Sequence, residues 1–238
     1  MFRVLSRLAA IGAILLSFCQ SAYAVDVYLF RGAGDFSFVQ KSLHFSKGMD
    51  KMAGQLNDAG INARVTRWEN TAAIYREIAK RRPPSVAFIG HSMGAIAALG
   101  MAKRMRKLGV RVAYVGLIDI PGPIGSVGHN VELAENFYHA FPVYGRLTKS
   151  RGHPGIVTNH YVFGQIHISM DDSSRIQNAM ISAIWQADGR DAGVQYAGNQ
   201  RDIVPQSEEI DTTFTSSIGQ FGRNVVNGLS NIGKRLKP

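Results

Sequence analysis

Nine consecutive residues carry most of the structural information in this sequence: Val86-Ala87-Phe88-Ile89-Gly90-His91-Ser92-Met93-Gly94. The first four are apolar and predict a short buried strand. Gly90 and Gly94 permit a turn so tight that larger side chains there would collide with neighbouring backbone. An alanine-rich run follows and predicts a helix. The segment therefore has the order strand–turn–helix, with Ser92 at the turn.

Strands and helices are predicted to alternate on both sides of this segment. Short apolar runs predict strands at 25–30, 61–68, 85–89, 111–118 and 155–163. Helical spacing, closed by glycine or proline, predicts helices at 45–59, 71–81, 93–107 and 173–186. Because strands separated by helices pair in parallel, we expect an α/β fold with a mostly parallel central sheet and helices on both faces.

In open sheets of this kind, ligands bind beyond the carboxyl ends of the strands, so functional residues are expected there. Ser92 follows a predicted strand directly, and the turn should project its hydroxyl above the sheet. The helix that begins at Met93 would direct its first amide and the positive end of its dipole towards the hydroxyl of Ser92. The alternative is a serine that only caps a helix between two turn glycines.

The motif Ile89-Gly90-His91-Ser92-Met93-Gly94 resembles the nucleophile turn of the α/β-hydrolase superfamily of serine lipases, esterases and thioesterases. The resemblance extends over residues 25–187. It implies a serine nucleophile followed along the chain by an acid and a histidine, and a small carboxylic ester or thioester as substrate. It also implies an acyl-enzyme, with no cofactor and no metal, and metal-ligand spacings are not found in the sequence.

A serine hydroxyl becomes a good nucleophile when a neighbouring base takes its proton. Five histidines follow Ser92 in the sequence: His129, His139, His153, His160 and His167. His167 lies just past the last predicted strand, which resembles the position of the family's final catalytic histidine. His160 falls within that strand and is the alternative as base, structural residue or pocket lining. The other three occupy an irregular segment at 121–155.

The base needs an acid to orient it. Between Ser92 and His167 the sequence holds three carboxylates, Asp119, Glu132 and Glu135. Asp119 ends a predicted strand and precedes Pro-Gly-Pro, whose rigid turn could fix its geometry. The two glutamates are typical of the solvated face of a short helix. We therefore expect Asp119 as the acid, although many family members carry it one strand later, where Asp171 and Asp172 are better interpreted as helix caps.

The backbone amides of Met93 and Ala33 are the expected donors to an oxyanion. Arg31-Gly32-Ala33-Gly34-Asp35 resembles the family's His-Gly-x loop, although a plain turn is the alternative reading. The resemblance also implies a cap over the nucleophile from the segment at 123–155. Its aromatic side chains would form either an acyl pocket or ordinary core; they include Phe137, Tyr138, Phe141 and Tyr144, beside Pro142.

Composition limits the remaining possibilities. The chain has 238 residues, 45% of them hydrophobic, which excludes a wholly disordered protein. Residues 1–24 combine two arginines, an apolar run of 11 and Ala-Tyr-Ala, and predict a cleavable signal peptide and export to the periplasm or the medium. Lipidation at Cys19 is the alternative. Cys19 is the single cysteine, so neither a disulfide scaffold nor a zinc ribbon can be built.

The last part of the chain differs in character from the rest. Residues 188–238 predict a linker and a basic tail, which we expect to be poorly ordered or to form an amphipathic helix. Within the tail, 212–238 could contact an anionic membrane. The net charge of +10 comes without any nucleic-acid recognition motif, so no nucleic acid is expected as partner. An alternative function is a non-catalytic binding protein of the cell envelope on the same scaffold.

Overall fold

A computed structural model describes residues 25–33, 46–122, 125–139 and 145–189. The strands are β1 Val25–Arg31, β2 Ala63–Arg67, β3 Ser85–His91, β4 Arg111–Ile118, β5 Ser126–Val127, β6 Val131–Tyr138, β7 Thr148–Lys149 and β8 Ile156–Tyr161. The helices are α1 Lys47–Asp58, α2 Thr71–Arg81, α3 Met93–Met105 and α4 Ser174–Ala187, with 3-10 turns at Trp68–Asn70 and Arg106–Leu108.

Six strands form one sheet in the order β2-β1-β3-β4-β6-β8, and every neighbouring pair is parallel. A parallel pair of two-residue strands, β5 and β7, forms a second sheet. Strand β3 lies between β1 and β4, and all seven of its residues are buried. This burial on both sides explains why the strand is an unbroken apolar run in the sequence.

Helices cover both faces of the large sheet, and the side chains of β3 alternate between them. Val86 and Phe88 pack with α2 and α3, whereas Ala87 and Ile89 pack with α1 and α4. Burial of a side chain such as Phe88 stabilises the fold by roughly 1.5–3 kcal/mol. The predicted α/β fold, a parallel sheet between two layers of helices, is therefore confirmed.

The expectation of irregular structure at 121–155 is wrong where the described residues of this range form strands. Val131–Tyr138 forms β6, a strand inserted between β4 and β8. The helix on which Glu132 and Glu135 were expected is absent from this described stretch, and both residues lie on that strand. The strand carries polar residues that form hydrogen bonds with other elements: Tyr114 donates to the Glu135 carboxylate at 2.9 Å, and the side-chain amide of buried Asn136 donates to Asn159 at 3.0 Å.

Two expected segments lie outside the described residues: the signal peptide at 1–24 and almost all of the tail, from 190 onward. Of the two compact units into which the chain divides, the second, Val204–Pro238, falls wholly within that undescribed tail. None of the helices that the structure describes is long and apolar enough to cross a membrane.

Candidate active site

The carboxyl ends of the parallel strands share one edge of the sheet, and the candidate residues follow them there. Strand register places Gly90 beside Phe30 of β1 and His91 beside Ile118 of β4. In turn, Ile118 is paired with Phe137 of β6. The segments that continue from β1, β3, β4, β6 and β8 carry Gly32, Ser92, Asp119, His139 and His167.

Ser92 occupies a strained backbone conformation between β3 and α3, with φ 55° and ψ −125°. This positive φ is unusual for a residue other than glycine. A β-carbon at Gly90 would lie 2.0 Å from the carbonyl oxygen of Gly94, and one at Gly94 would lie 2.1 Å from that of Phe30. Both positions therefore require glycine, and the tight packing turns the strand sharply into the helix at Ser92.

Ser92, His167 and Asp119 form a continuous chain of hydrogen bonds. Nε2 of His167 lies 2.9 Å from Oγ of Ser92, and Nδ1 of His167 lies 2.5 Å from Oδ2 of Asp119. An ionised carboxylate only accepts hydrogen bonds, so the proton of a neutral His167 is on Nδ1. Its Nε2 is then free to accept the hydroxyl proton of Ser92. This geometry suits a base that activates a serine nucleophile.

Asp119 is held rigidly at the end of β4. Its φ is 45°, its amide donates to the carbonyl of Phe137 at 2.8 Å, and its side chain is buried. Burial alone would raise the pKa of Asp119, but hydrogen bonds from His139 and His167 outweigh that effect and lower the pKa to about 2. The acid is therefore charged at neutral pH, as is required to orient an imidazole.

His139 is a site residue that the sequence analysis did not single out. It directly follows β6, and its Nδ1 lies 2.8 Å from Oδ1 of Asp119. Its location after a strand was hidden because β6 had not been predicted. Had that strand been recognised, the rule that ligands bind beyond strand ends would have drawn attention to His139.

The alternative base, His160, is engaged elsewhere. Its Nε2 lies 2.9 Å from the Glu135 carboxylate, and its ring stacks on Phe137 at 4.5 Å between centroids. These contacts favour the structural role considered for it. Phe137 itself is buried in the core and belongs to β6 rather than to a cap. Tyr138 packs against Tyr161.

Of the other residues assigned to the expected cap, Phe141, Pro142 and Tyr144 lie outside the described residues.

The segment after β1 contacts the serine. A β-carbon at Gly32 would lie 3.0 Å from Cβ of Ser92, so this backbone passes close to Ser92. Ala33 is the next residue, and Met93 is the first residue of α3. Their roles as oxyanion donors stay predictions. Within the described ranges, no three His, Cys, Asp or Glu side chains are grouped so that they could hold a metal ion.

Asp171 does not cap α4 as the sequence suggested. It is fully buried, and its Oδ2 accepts the amide proton of Gly48 at 3.0 Å, in the first turn of α1. The N-cap residue of α4 is Ser173, and its side chain makes no capping hydrogen bond. The carboxylate of Asp171 thus stabilises the start of a different helix, which sequence proximity could not indicate.

Among the solved structures that are similar to this chain are the following two. One is the type II thioesterase BorB from the borrelidin biosynthetic cluster, with 13% identity and a TM-score of 0.45, aligned over 68% of this chain and 93% of that one. The other is a cutinase-like protein from Cryptococcus sp., with 13% identity and a TM-score of 0.43, aligned over 70% and 95%. No curated protein matches the chain.

A family model, the thioesterase domain, matches residues 32–164, which is more than half of the 238 residues. The match begins at Gly32 next to Ser92, includes the nucleophile turn and Asp119, and ends at Gly164, three residues before His167. The chain belongs to the thioesterase domain family.

Proposed function

We propose that this chain hydrolyses its substrate through an acyl-enzyme formed on Ser92, with His167 as the base and Asp119 as the acid that orients it. The class of reaction, hydrolysis of an ester or thioester by a serine-type hydrolase, follows from the family. The observation that carries the proposal is the hydrogen-bonded chain from Ser92 Oγ through His167 to Asp119.

In the first half of the reaction, Oγ of Ser92 attacks the acyl carbonyl carbon while Nε2 of His167 takes the hydroxyl proton. The charged Asp119 stabilises the imidazolium that forms. The tetrahedral intermediate then breaks the bond to the alcohol or thiol, which leaves with the proton from His167. The product of this half is an ester between Ser92 and the acyl group.

In the second half, His167 takes a proton from a water molecule that attacks the acyl-enzyme. The second tetrahedral intermediate releases the carboxylic acid and returns the proton to Ser92. In both halves the amides of Met93 and Ala33 would donate hydrogen bonds to the developing oxyanion. Loss of one such donor typically lowers kcat by about 10²–10³-fold.

The first experiment compares turnover of a p-nitrophenyl ester and of an acyl thioester by the wild type and by Ser92→Ala and His167→Ala. Each substitution should lower kcat by about 10⁴-fold or more, because the members of a triad act as a unit. Ser150→Ala and His129→Ala, which change a serine and a histidine outside the hydrogen-bonded chain, serve as matched controls. Equal rates for Ser92→Ala and the wild type would end the proposal.

A covalent probe tests the nucleophile independently of the substrate. A fluorophosphonate should add once to the intact protein, as measured by mass spectrometry, and not to Ser92→Ala. If the folded wild-type protein takes up no label, the result would instead fit the alternative function, a non-catalytic binding protein. No observation on the fold favours that alternative.

We also propose that the protein is exported and that residues 1–24 are removed. The apolar run and the Ala-Tyr-Ala sequence support cleavage after Ala24. The test is N-terminal sequencing of the protein recovered from the periplasm or medium, with Val25 expected as the first residue. A lipid-modified N-terminus at Cys19 would overturn cleavage after Ala24.

The tail at 212–238 is proposed to contact anionic membranes peripherally. Apolar residues recur in it at spacings of three and four among four basic residues, Arg223, Lys234, Arg235 and Lys237. The protein should therefore sediment with phosphatidylglycerol vesicles at low salt and less so at high salt. Deletion of 212–238 should abolish this binding, whereas vesicle binding that survives the deletion would contradict the proposal.

A further inference from the structure

His91, the second residue of the Gly-His-Ser-Met-Gly motif, has no part in the mechanism above, yet it is buried beside it. Only 3% of its surface is exposed. Its Nε2 lies 2.8 Å from the backbone carbonyl oxygen of His167, and its Nδ1 lies 3.0 Å from Oγ of Ser46. The rings of His91 and His167 are 4.9 Å apart between centroids. Both nitrogens of His91 are therefore engaged.

The partners fix which nitrogen of His91 carries the proton. A backbone carbonyl can only accept, so Nε2 donates to the carbonyl of His167. In a neutral imidazole Nδ1 is then an acceptor, and it takes the hydroxyl proton of Ser46. Burial, followed by the nearby His167, lowers the pKa of His91 to about 3, so the ring is neutral under ordinary conditions.

Ser46 extends this arrangement to the segment after β1. Its Oγ accepts the amide proton of Gly32 at 3.2 Å while its hydroxyl donates to His91. Ser46 has a φ of 58°, an uncommon conformation for a serine, and is buried. Gly32 in turn lies against Cβ of Ser92 and precedes Ala33, the proposed oxyanion donor.

The carboxylate of Asp171 lies close to this network. Oδ1 of Asp171 lies 3.6 Å from Nδ1 of His91, beyond a normal hydrogen bond, and its Oδ2 accepts from Gly48. Asp171 therefore does not compete with Ser46 for the position at Nδ1. A series of hydrogen bonds therefore connects Gly32 to Ser46, Ser46 to His91, and His91 to the backbone carbonyl of His167.

We propose that His91 is a positioning residue which holds the backbone of His167 and, through Ser46, the segment at Gly32–Ala33 in fixed relation to Ser92. This inference rests on the proposed function, because it concerns how the base and one oxyanion donor are aligned. The turn that carries Ser92 thereby fixes the position of the base, His167, through a hydrogen bond from the neighbouring residue His91. Misplacement of reacting groups by about 1 Å can cost about 10²-fold in rate.

Two substitutions of His91 separate its two hydrogen bonds. In His91→Asn, the side-chain oxygen can still accept from Ser46 near the position of Nδ1, but no donor reaches the carbonyl of His167. In His91→Gln, the longer side chain places an amide N–H near the position of Nε2, so the bond to that carbonyl can form. Ser46→Ala removes the bond to Gly32 and leaves the His91–His167 bond in place.

The measurement is kcat and KM for a p-nitrophenyl ester, together with the thermal unfolding midpoint of each variant. We expect His91→Asn to lower kcat by about 10²-fold with KM within about threefold of the wild type. His91→Gln should recover most of that loss, and Ser46→Ala should lower kcat by about tenfold. A purely structural role of His91 would not produce a rescue by glutamine or a change confined to kcat.

The Ser92→Ala variant separates failure of this inference from failure of the proposed function. If Ser92→Ala is inactive and folded His91→Asn has wild-type kcat, the positioning role is wrong. Equal losses in folded His91→Asn and His91→Gln also overturn it, because the bond to His167 would then not be the cause. If His91→Asn fails to fold, the other two variants decide. A wild-type kcat in Ser46→Ala together with a hundredfold loss of kcat in His91→Gln would then contradict the proposal. Activity that persists in Ser92→Ala contradicts the proposed function instead.

Discussion

Nδ1 of His139 lies 2.8 Å from Oδ1 of Asp119, while His167 occupies the other oxygen of the same carboxylate at 2.5 Å. Both oxygens of the acid thus accept a hydrogen bond from a histidine. Hydrogen bonds to a charged group are stronger than those between neutral groups, so the carboxylate cannot rotate without losing one of them. His139 therefore restricts the orientation of Asp119, the acid proposed to orient His167.

Replacement of His139 should accordingly weaken catalysis without abolishing it. We expect His139→Ala to lower kcat/KM by about tenfold, which corresponds to about 1.4 kcal/mol and is near the lower end for a hydrogen bond to a charged group. The measurement is ester hydrolysis under substrate-limiting conditions, with His129→Ala as the control because His129 is exposed. If both histidine variants match the wild type, His139 has no role in orienting Asp119.

Asp119 and Glu132 offer a matched test of which carboxylate is the acid. Asp119→Asn should lower kcat by about 10³–10⁴-fold, because an amide in place of the carboxylate favours the wrong tautomer of His167. Glu132→Gln should leave kcat unchanged, since its carboxylate forms an exposed ion pair with Arg111 at 2.8 Å. Such pairs contribute about 0–1 kcal/mol to stability. Comparable losses in both variants would count against Asp119.

The elements that the sequence predicted best are those whose pattern arises from burial. Strand β3 is buried on both faces, and the apolar run at Val86–Ile89 predicted it directly. Helix α2 was predicted over its full range, 71–81, before a pair of prolines, although the side chain of Asn70 makes no capping hydrogen bond at its start. In both cases the apolar pattern of the segment and the residues at which it stops agree with the burial that the fold imposes.

Strand β6 could not be predicted because its polar side chains bond to residues that are distant in sequence. Asn136 is fully buried, and its amide donates to Oδ1 of Asn159 and to the carbonyl of Gly145. Glu135 accepts from Tyr114 and His160, so a glutamate is accommodated in a strand that has a neighbour on each side. Without these contacts a buried asparagine and a half-buried glutamate would be costly, and the segment did not resemble a strand.

The residues of the candidate site show the same contrast between local sequence signals and contacts distant in sequence. Ser92 carries a local signature, and the fold rule for strand ends pointed to Asp119 and His167, which the structure brings within hydrogen-bond distance. His139 and Ser46 depend on contacts across 20 and 45 positions of the chain, which no local pattern records. Catalysis by these residues stays a prediction for the experiments described here.

Two glycines of helix α3 should respond to alanine in opposite directions. A β-carbon at Gly100 meets no atom within 4 Å, and alanine has the higher helix propensity, so Gly100→Ala should raise the free energy of unfolding by about 0.5–1 kcal/mol. At Gly94 the β-carbon would lie 2.1 Å from the carbonyl oxygen of Phe30, so Gly94→Ala should destabilise by about 1–3 kcal/mol or more. Urea denaturation measures both changes. A Gly94→Ala protein as stable as Gly100→Ala would show that the turn does not require glycine.

Buried Asp171 provides a pH-dependent test of the packing beneath the site. Burial, followed by the charge of Asp172, raises the pKa of Asp171 from 3.8 to about 6 in spite of the hydrogen bond from Gly48. Between these two pH values the folded protein retains a proton that the unfolded chain has lost. The contribution of Asp171 to the free energy of unfolding should therefore fall as pH rises from about 4 to 6, and then level off.

Asp171→Asn cannot lose that proton, and its side-chain oxygen can still accept from Gly48. Relative to the wild type, the variant should gain about 2 kcal/mol in the free energy of unfolding between pH 4 and pH 7, since one pKa unit corresponds to 1.36 kcal/mol and part of the effect of the shift already lies below pH 4. Urea denaturation of both proteins at the two pH values measures this difference. Asp58→Asn, which changes an exposed carboxylate at the end of α1, should remain at a nearly constant offset from the wild type. If the Asp171→Asn protein also keeps a constant offset, the carboxylate of Asp171 is already charged at pH 4 in the folded protein.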